Sequence, residues 1–180
     1  SWWGYSRGKR SIELDIHGQR EVFLDLLKRA DFLIESEPVG SLAAAGLSYD
    51  ALHKLNPALI QVSITPYGLT GPKSAWLASD ITLMASAGPL AMTGDDELPP
   101  VRVSVPQAWN HAAAEAAVGA IIALRERHFS GIGQLVSVSA QQAITLATQG
   151  NILSAAVGDN TVQRIAGGLK AGELRIRLTH

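Results

Sequence analysis

The strongest constraint on this chain is a change of apolar period that recurs between residues 11 and 64. Ser11-Ile-Glu-Leu-Asp-Ile16 places Ile12, Leu14 and Ile16 at period two, the spacing of a half-buried strand. After Gly18, residues 20 to 30 carry Val22, Phe23, Leu26, Leu27 and Ala30, an apolar stripe at helical spacing. Phe32-Leu-Ile34 is a short continuous apolar run, as expected of a buried strand. Gly40, Gly46 and Ser48 punctuate the next stretch; Ser48 is placed to cap a helix over Tyr49 to Leu55, which Asn56-Pro57 ends. Leu59-Ile-Gln-Val-Ser-Ile64 predicts a further strand. Strand, helix, strand, helix, strand in this order predicts an α/β sheet with parallel, right-handed crossovers.

The pattern continues beyond a loop, Thr65-Pro-Tyr-Gly-Leu-Thr-Gly-Pro72, whose glycines and prolines exclude a strand. Residues 79–92 read as a helix that Gly88-Pro89 kinks or ends. Asp95 to Pro100 is a polar turn, and Val101-Arg-Val-Ser-Val105 alternates like a strand. The clearest helix runs from about Trp109 to Arg127 and is rich in alanine, which lets a second backbone approach closely. Ser130 to Gly133 is a turn, residues 134–139 a strand and residues 140–157 one helix. The tail, with Gly167-Gly168 and Gly172, reads as loop, so the expected division is a domain over 1–159 and a linker over 160–180.

Composition narrows the function classes. The chain has 180 residues, of which 47% are hydrophobic and 17% charged, enough apolar content for a core. Fifteen Lys and Arg against 16 Asp and Glu leave a formal net charge of −1, which argues against a mainly electrostatic nucleic-acid binder. Cysteine is absent, which excludes disulfides, thiolate zinc sites and a thiol nucleophile; a cytoplasmic location is the expectation. The five histidines show no pairing at three- or four-residue spacing, so no metal site is expected. No apolar run reaches the roughly 18 residues of a membrane span, and no membrane partner is expected. The opening Ser1-Trp-Trp-Gly4 is not a signal sequence, and the expectation is a piece of a longer protein.

Four places offer chemistry. Ser6-Arg-Gly-Lys-Arg-Ser11 sets Arg7, Lys9 and Arg10 around a glycine, which suits either phosphate binding or a solvated loop. Asp80 stands at a helix start, where it caps the helix or serves as a base. Trp109, Asn110 and His111 open the long helix, lining a pocket or anchoring packing. Glu115 is either solvated or a buried acid of shifted pKa. There is no Gly-x-Ser-x-Gly elbow for a serine nucleophile and no phosphate-binding Gly-Lys-Ser/Thr loop.

Seven segments in order carry a resemblance: Arg7 to Asp15, Arg29 to Glu35, Gly46 to Leu52, Asn56 to Ile60, Tyr67 to Pro72, Pro99 to Pro106 and Gly131 to Gln134. Together they resemble the class III CoA-transferases, the formyl-CoA transferase or CaiB/BaiF type, and the related α-methylacyl-CoA racemases. The match runs from about Ser6 to Ala143. It implies a Rossmann-like large domain whose first strand, with a smaller second domain, lies outside this chain. It also implies interlocked dimers and an aspartate nucleophile. That carboxylate attacks an acyl-CoA, the resulting anhydride is opened by the CoA thiolate, and a second acid takes CoA from the aspartyl thioester.

The departures from that pattern are specific. The family motif Pro-x-Ala-Asp carries the nucleophile in its last residue; here Pro106-Gln-Ala-Trp109 places an indole there, and the spacing to Gly119 is kept. The family's Glu-Asn-Phe is Glu35-Ser-Glu37, a cationic CoA contact falls on Ala44, and the racemase histidine before Asp80 is Ser79. The basic segment with Lys9 and Arg10 is retained, and the resemblance places it near the CoA nucleotide. The expected function is therefore CoA transfer by a half or subunit without its own nucleophile, joined to an Asp-bearing partner in a homo- or heterodimer. Coenzyme A enters as the thioester substrate, with no catalytic residue on this chain and Arg7, Lys9 and Arg10 as CoA contacts. Two alternatives stay open: a CoA-thioester isomerase of divergent mechanism using Glu115, Asp80 or His111 as base, and a non-catalytic CoA-binding or scaffold module.

Overall fold

The computed structural model describes residues 2–95, 97–158, 164, 168–171 and 174–177. Its centre is a parallel sheet of three strands in the order β1 (Phe32–Glu35), β2 (Ile60–Thr65), β3 (Leu135–Ser139). The register pairs Glu35 with Ser63 and Ser63 with Ser137 in one row; two residues earlier, Leu33 pairs with Gln61 and Gln61 with Leu135. The α/β class with parallel crossovers is thus the observed one.

Helices cover both faces. Before β1 come α1 (Trp2–Ser6) and α2 (Arg20–Leu27); between β1 and β2 lie α3 (Ser41–Ala44) and α4 (Tyr49–Leu55). Leu27, Leu47, Leu52 and Leu59 form the core on that side, with Phe23 and Leu33 packed against it. Ser48 caps α4 as its sequence position requires, its hydroxyl accepting from the Ala51 amide at 3.4 Å. Between β2 and β3 come α5 (Asp80–Ala87), a 3₁₀ turn (Pro89–Met92) and the 24-residue α6 (Gln107–Ser130). Gly88, at φ 101°, ends α5 where the Gly-Pro pair demands it. After β3 come α7 (Ala140–Ala147) and α8 (Gln149–Val157). Ile60, Val62 and Val138 share a core with α5, α6 and α7, and the alanines of α6 at 108, 112, 116 and 123 are its buried stripe. Gly119 belongs to the same close approach: a Cβ there would stand 2.6 Å from a Val136 methyl.

Four sequence expectations are corrected. Residues 11–16 form no strand: Ile12 is exposed and only Ile16 reaches the core. The backbone turns instead at Asp15, whose carboxylate accepts from the His17 amide at 3.0 Å while its own amide donates to Gln19 Oε1 at 3.1 Å. Residues 101–105 are irregular, because only Val103 packs inward and Val101 is tied to Thr93. The helix expected over 140–157 breaks at Thr148, whose hydroxyl donates back to the carbonyls of Ile144 and Thr145 at 3.3 Å each. The tail is not all loop either. β4 (Gly168–Ala171) and β5 (Leu174–Arg177) pair antiparallel, glycine content having hidden a short alternation.

Candidate functional site

The start of α6 is where the family resemblance puts chemistry, and a distant carboxylate builds it. Asp80, the first residue of α5, does not cap its own helix; Ser79 and Thr82 do that work, the Ser79 amide donating to Thr82 Oγ1 at 2.8 Å. The Asp80 side chain crosses to α6 and accepts the Ala108 amide at 2.9 Å. It is 8% exposed, and its second oxygen, Oδ2, is buried with no hydrogen-bond partner. A carboxylate at a helix N-terminus meets free amides and the positive end of the helix dipole, so the arrangement is favourable without a cation. It also fixes where residue 109 stands. Trp109 follows Ala108 on α6, half-buried, its ring packed against the core of that side.

The other candidates lie apart from this knot. His111 is half-buried on α6. Glu115 is exposed about two turns beyond Ala108 and lines a groove of about 260 Å³ with Ser137, Ser139 and Gln142. Among the described residues no hydrogen bond joins Asp80, His111 and Glu115 to one another. Arg7, Lys9 and Arg10 are exposed and make no ion pair among the described residues. Gly8 turns their segment at φ 77°, with the Lys9 amide donating to the Ser6 carbonyl at 3.1 Å. No cluster of three or more metal-ligating side chains occurs among the described residues, and none of their helices is long and apolar enough to cross a membrane.

A second polar site gathers Glu35 and Glu37, which the family comparison of the sequence singled out, with a buried pair that sequence reasoning missed. Beside β1 and β2 a cleft of about 170 Å³ is lined by Glu35, Glu37, Tyr49, Gln61 and Ser63 together with leucines. Gln61 Oε1 and Ser63 Oγ are buried and lack hydrogen-bond partners. The signal was present in the sequence. Gln61 and Ser63 are polar residues at alternate positions of a strand buried on both faces, where apolar side chains are the rule. Arg20 braces the rim, its guanidinium donating to the carbonyls of Ala45 and of Gly46, the latter at 3.0 Å.

A family model described as CoA-transferase family III matches residues 1–174. The chain belongs to the CoA-transferase family III. It is 43% identical over 147 residues to the succinyl-CoA:(R)-benzylsuccinate CoA-transferase subunit BbsE of Thauera aromatica, covering 81% of this chain and 36% of that protein. It is 34% identical to the succinyl-CoA–D-citramalate CoA-transferase of Chloroflexus aurantiacus, covering 79% and 36%. Among solved structures, a CaiB/BaiF family protein from Brucella suis superposes with a TM-score of 0.83 at 28% identity, covering 87% of this chain and 42% of that one. The chain thus spans about a third of the length of the curated relatives it matches. The partial Rossmann-like α/β unit expected from the sequence agrees with these coverages.

Proposed function

We propose that this chain is the non-nucleophilic part of a family III CoA-transferase, and that the carboxylate which carries acyl groups is supplied by a partner chain. The observation that carries this reading is Trp109 at the family's nucleophile position, on a helix start whose geometry Asp80 fixes. An indole cannot form an acyl anhydride. Asp80, the buried carboxylate beside it, is engaged at the Ala108 amide through one oxygen. The names of two relatives support a divided enzyme, since BbsE and the succinyl-CoA–L-malate CoA-transferase α chain of Chloroflexus aurantiacus are both called subunits. The same names favour succinyl-CoA as donor.

In this reading Arg7, Lys9 and Arg10 hold CoA phosphates. Three exposed cations around a left-handed glycine can approach an anion together. The family III partner pairs with the chain as an interlocked dimer in the cytoplasm. The test is chemical trapping. The native protein, purified with its partner chain, is incubated with succinyl-CoA and then hydroxylamine, which converts anhydride or thioester carboxyls to hydroxamates. The expected result is a hydroxamate on an aspartate of the partner and none on this chain; a hydroxamate on this chain refutes the reading. Replacing Arg7, Lys9 and Arg10 together with Gln weakens CoA binding if they hold its phosphates, and unchanged binding removes them from the site.

A further inference from the structure

The long helix α6 has a second apolar face that the packing described above does not use. Its alanines at 108, 112, 116 and 123 are the buried side. Elsewhere on the helix Val118, Ile121, Ile122 and Phe129 are 54%, 66%, 63% and 67% exposed. A helix apolar on two sides is ordinarily covered on both. Glu115, Val118, Ile122, Arg125 and Phe129 follow one another at alternating steps of three and four, the spacing of a seam that packs against another helix. At 1.5 Å per residue this seam is about 21 Å long. Val118 and Ile122 also border the groove beside β3, so the apolar surface runs on to Leu146 of α7.

The seam is complementary to itself. Glu115 and Arg125 stand five positions either side of Ala120, and Val118 and Ile122 stand two positions either side. Two copies of α6 laid antiparallel, with Ala120 at the crossing, set Glu115 against Arg125 at both ends and Val118 against Ile122 between them. Both charged residues are exposed and make no ion pair among the described residues. The Arg125 guanidinium lies 4.5 Å from the centre of the Phe129 ring, which holds the cation on the stripe. A parallel arrangement would oppose Glu115 to Glu115 and Arg125 to Arg125 and align the two helix dipoles, so like charges would meet along its length.

We propose that a second copy of this chain docks on this face, α6 against α6, about a two-fold axis at Ala120. A two-fold contact needs one patch that matches itself, and the order of charges along the seam provides it. A stable interface takes roughly 800 Å² from each partner, so the contact extends over the groove wall at Leu146 as well as the seam. It joins two like chains, and it stands whether or not the nucleophilic carboxylate lies on another chain.

The chain has no cysteine, so single introduced thiols report the contact. Val118→Cys and Ile122→Cys, both at exposed positions, are expressed together in the native assembly and mildly oxidised, and the linked peptides are told apart by mass. The expected result is a disulfide from position 118 of one copy to position 122 of the other, several-fold above the 118–118 and 122–122 links. An excess of like-with-like links overturns the proposal. So does the absence of links between copies in a protein that keeps its native circular dichroism, whether the thiols stay open to a maleimide or another part of the assembly covers them. Charge reversal is the second measurement. Glu115→Arg or Arg125→Glu alone should reduce the 118–122 link about threefold or more, and both in one chain should restore it. Single variants that link as well as the parent, or a double variant no better than the singles, overturn the proposal too.

Discussion

Two buried polar sites adjoin one three-stranded sheet, and they are finished differently. At the start of α6 the fold supplies a partner for one oxygen of Asp80, which takes an amide that the helix leaves free, and leaves Oδ2 unpaired. In the cleft beside β1, Gln61 and Ser63 are as deeply buried, but the fold supplies nothing to Gln61 Oε1 and Ser63 Oγ. The first site therefore ties two helices together, holding residue 109 in place, whereas no side-chain bond of Gln61 or Ser63 ties elements together at the second. Burial alone does not separate these roles; the hydrogen bonds do.

The largest effect is expected where both sites share a support. Gly133 leads into β3, donating its amide to the Pro57 carbonyl at 2.8 Å, and a Cβ there would stand 2.0 Å from the Leu59 carbonyl oxygen. Gly133→Ala should cost about 3 kcal/mol or more in denaturant melts and loosen both faces together; a loss under about 1 kcal/mol would show that the sheet entrance yields. Next comes Asp80→Ala, expected to destabilise by about 2 kcal/mol, with Asp80→Asn recovering most of it because an amide oxygen still accepts from Ala108. If Asn is as damaging as Ala, charge at the helix terminus outweighs the hydrogen bond.

The cleft should respond in the opposite way. Ser63→Ala and Gln61→Met remove atoms that have no partner, so each should shift stability by about 0.5 kcal/mol or less, or raise it. A loss comparable to Asp80→Ala would erase the distinction between the two sites. The smallest effect belongs to the surface. Lys28 donates to Asp25 at 2.7 Å, and this hydrogen bond, with the attraction of the ammonium, lowers the Asp25 pKa and raises that of Lys28. The Asp25 contribution is present at neutral pH and is lost as pH falls through its lowered folded-state pKa; that of Lys28 is lost as pH rises through its raised one. In Lys28→Ala, NMR titration should find the Asp25 pKa nearer its ordinary value, with the melting temperature almost unmoved.

The sheet was legible in the sequence wherever one period served one structural need. Leu59 to Ile64 is a run of the sheet's interior, Phe32 to Ile34 forms the half-buried β1 with Ile34 exposed, and α6 shows its alanine stripe because it packs on β2 and β3. The strand patterns at 11–16 and 101–105 misled because alternation also arises when a single residue, Ile16 or Val103, anchors an irregular segment. The site was legible only in part. Trp109 stood out against the family pattern, but the bond between Asp80 and Ala108 spans 28 positions and is set by how two helices cross, which no local pattern encodes. Gln61 and Ser63 were readable as a polar interruption of a buried strand, yet their missing partners emerge only once the neighbours are in place.

Isotope transfer probes the central claim most directly. In the aspartate mechanism the nucleophile carboxylate surrenders one oxygen to the departing acid and regains one from the incoming acid. The native protein, turned over with succinyl-CoA and ¹⁸O-labelled succinate and then digested, should show heavy oxygen in a carboxylate of the partner and none in peptides of this chain. Heavy oxygen in any Asp or Glu of this chain, Asp80 above all, would contradict the account.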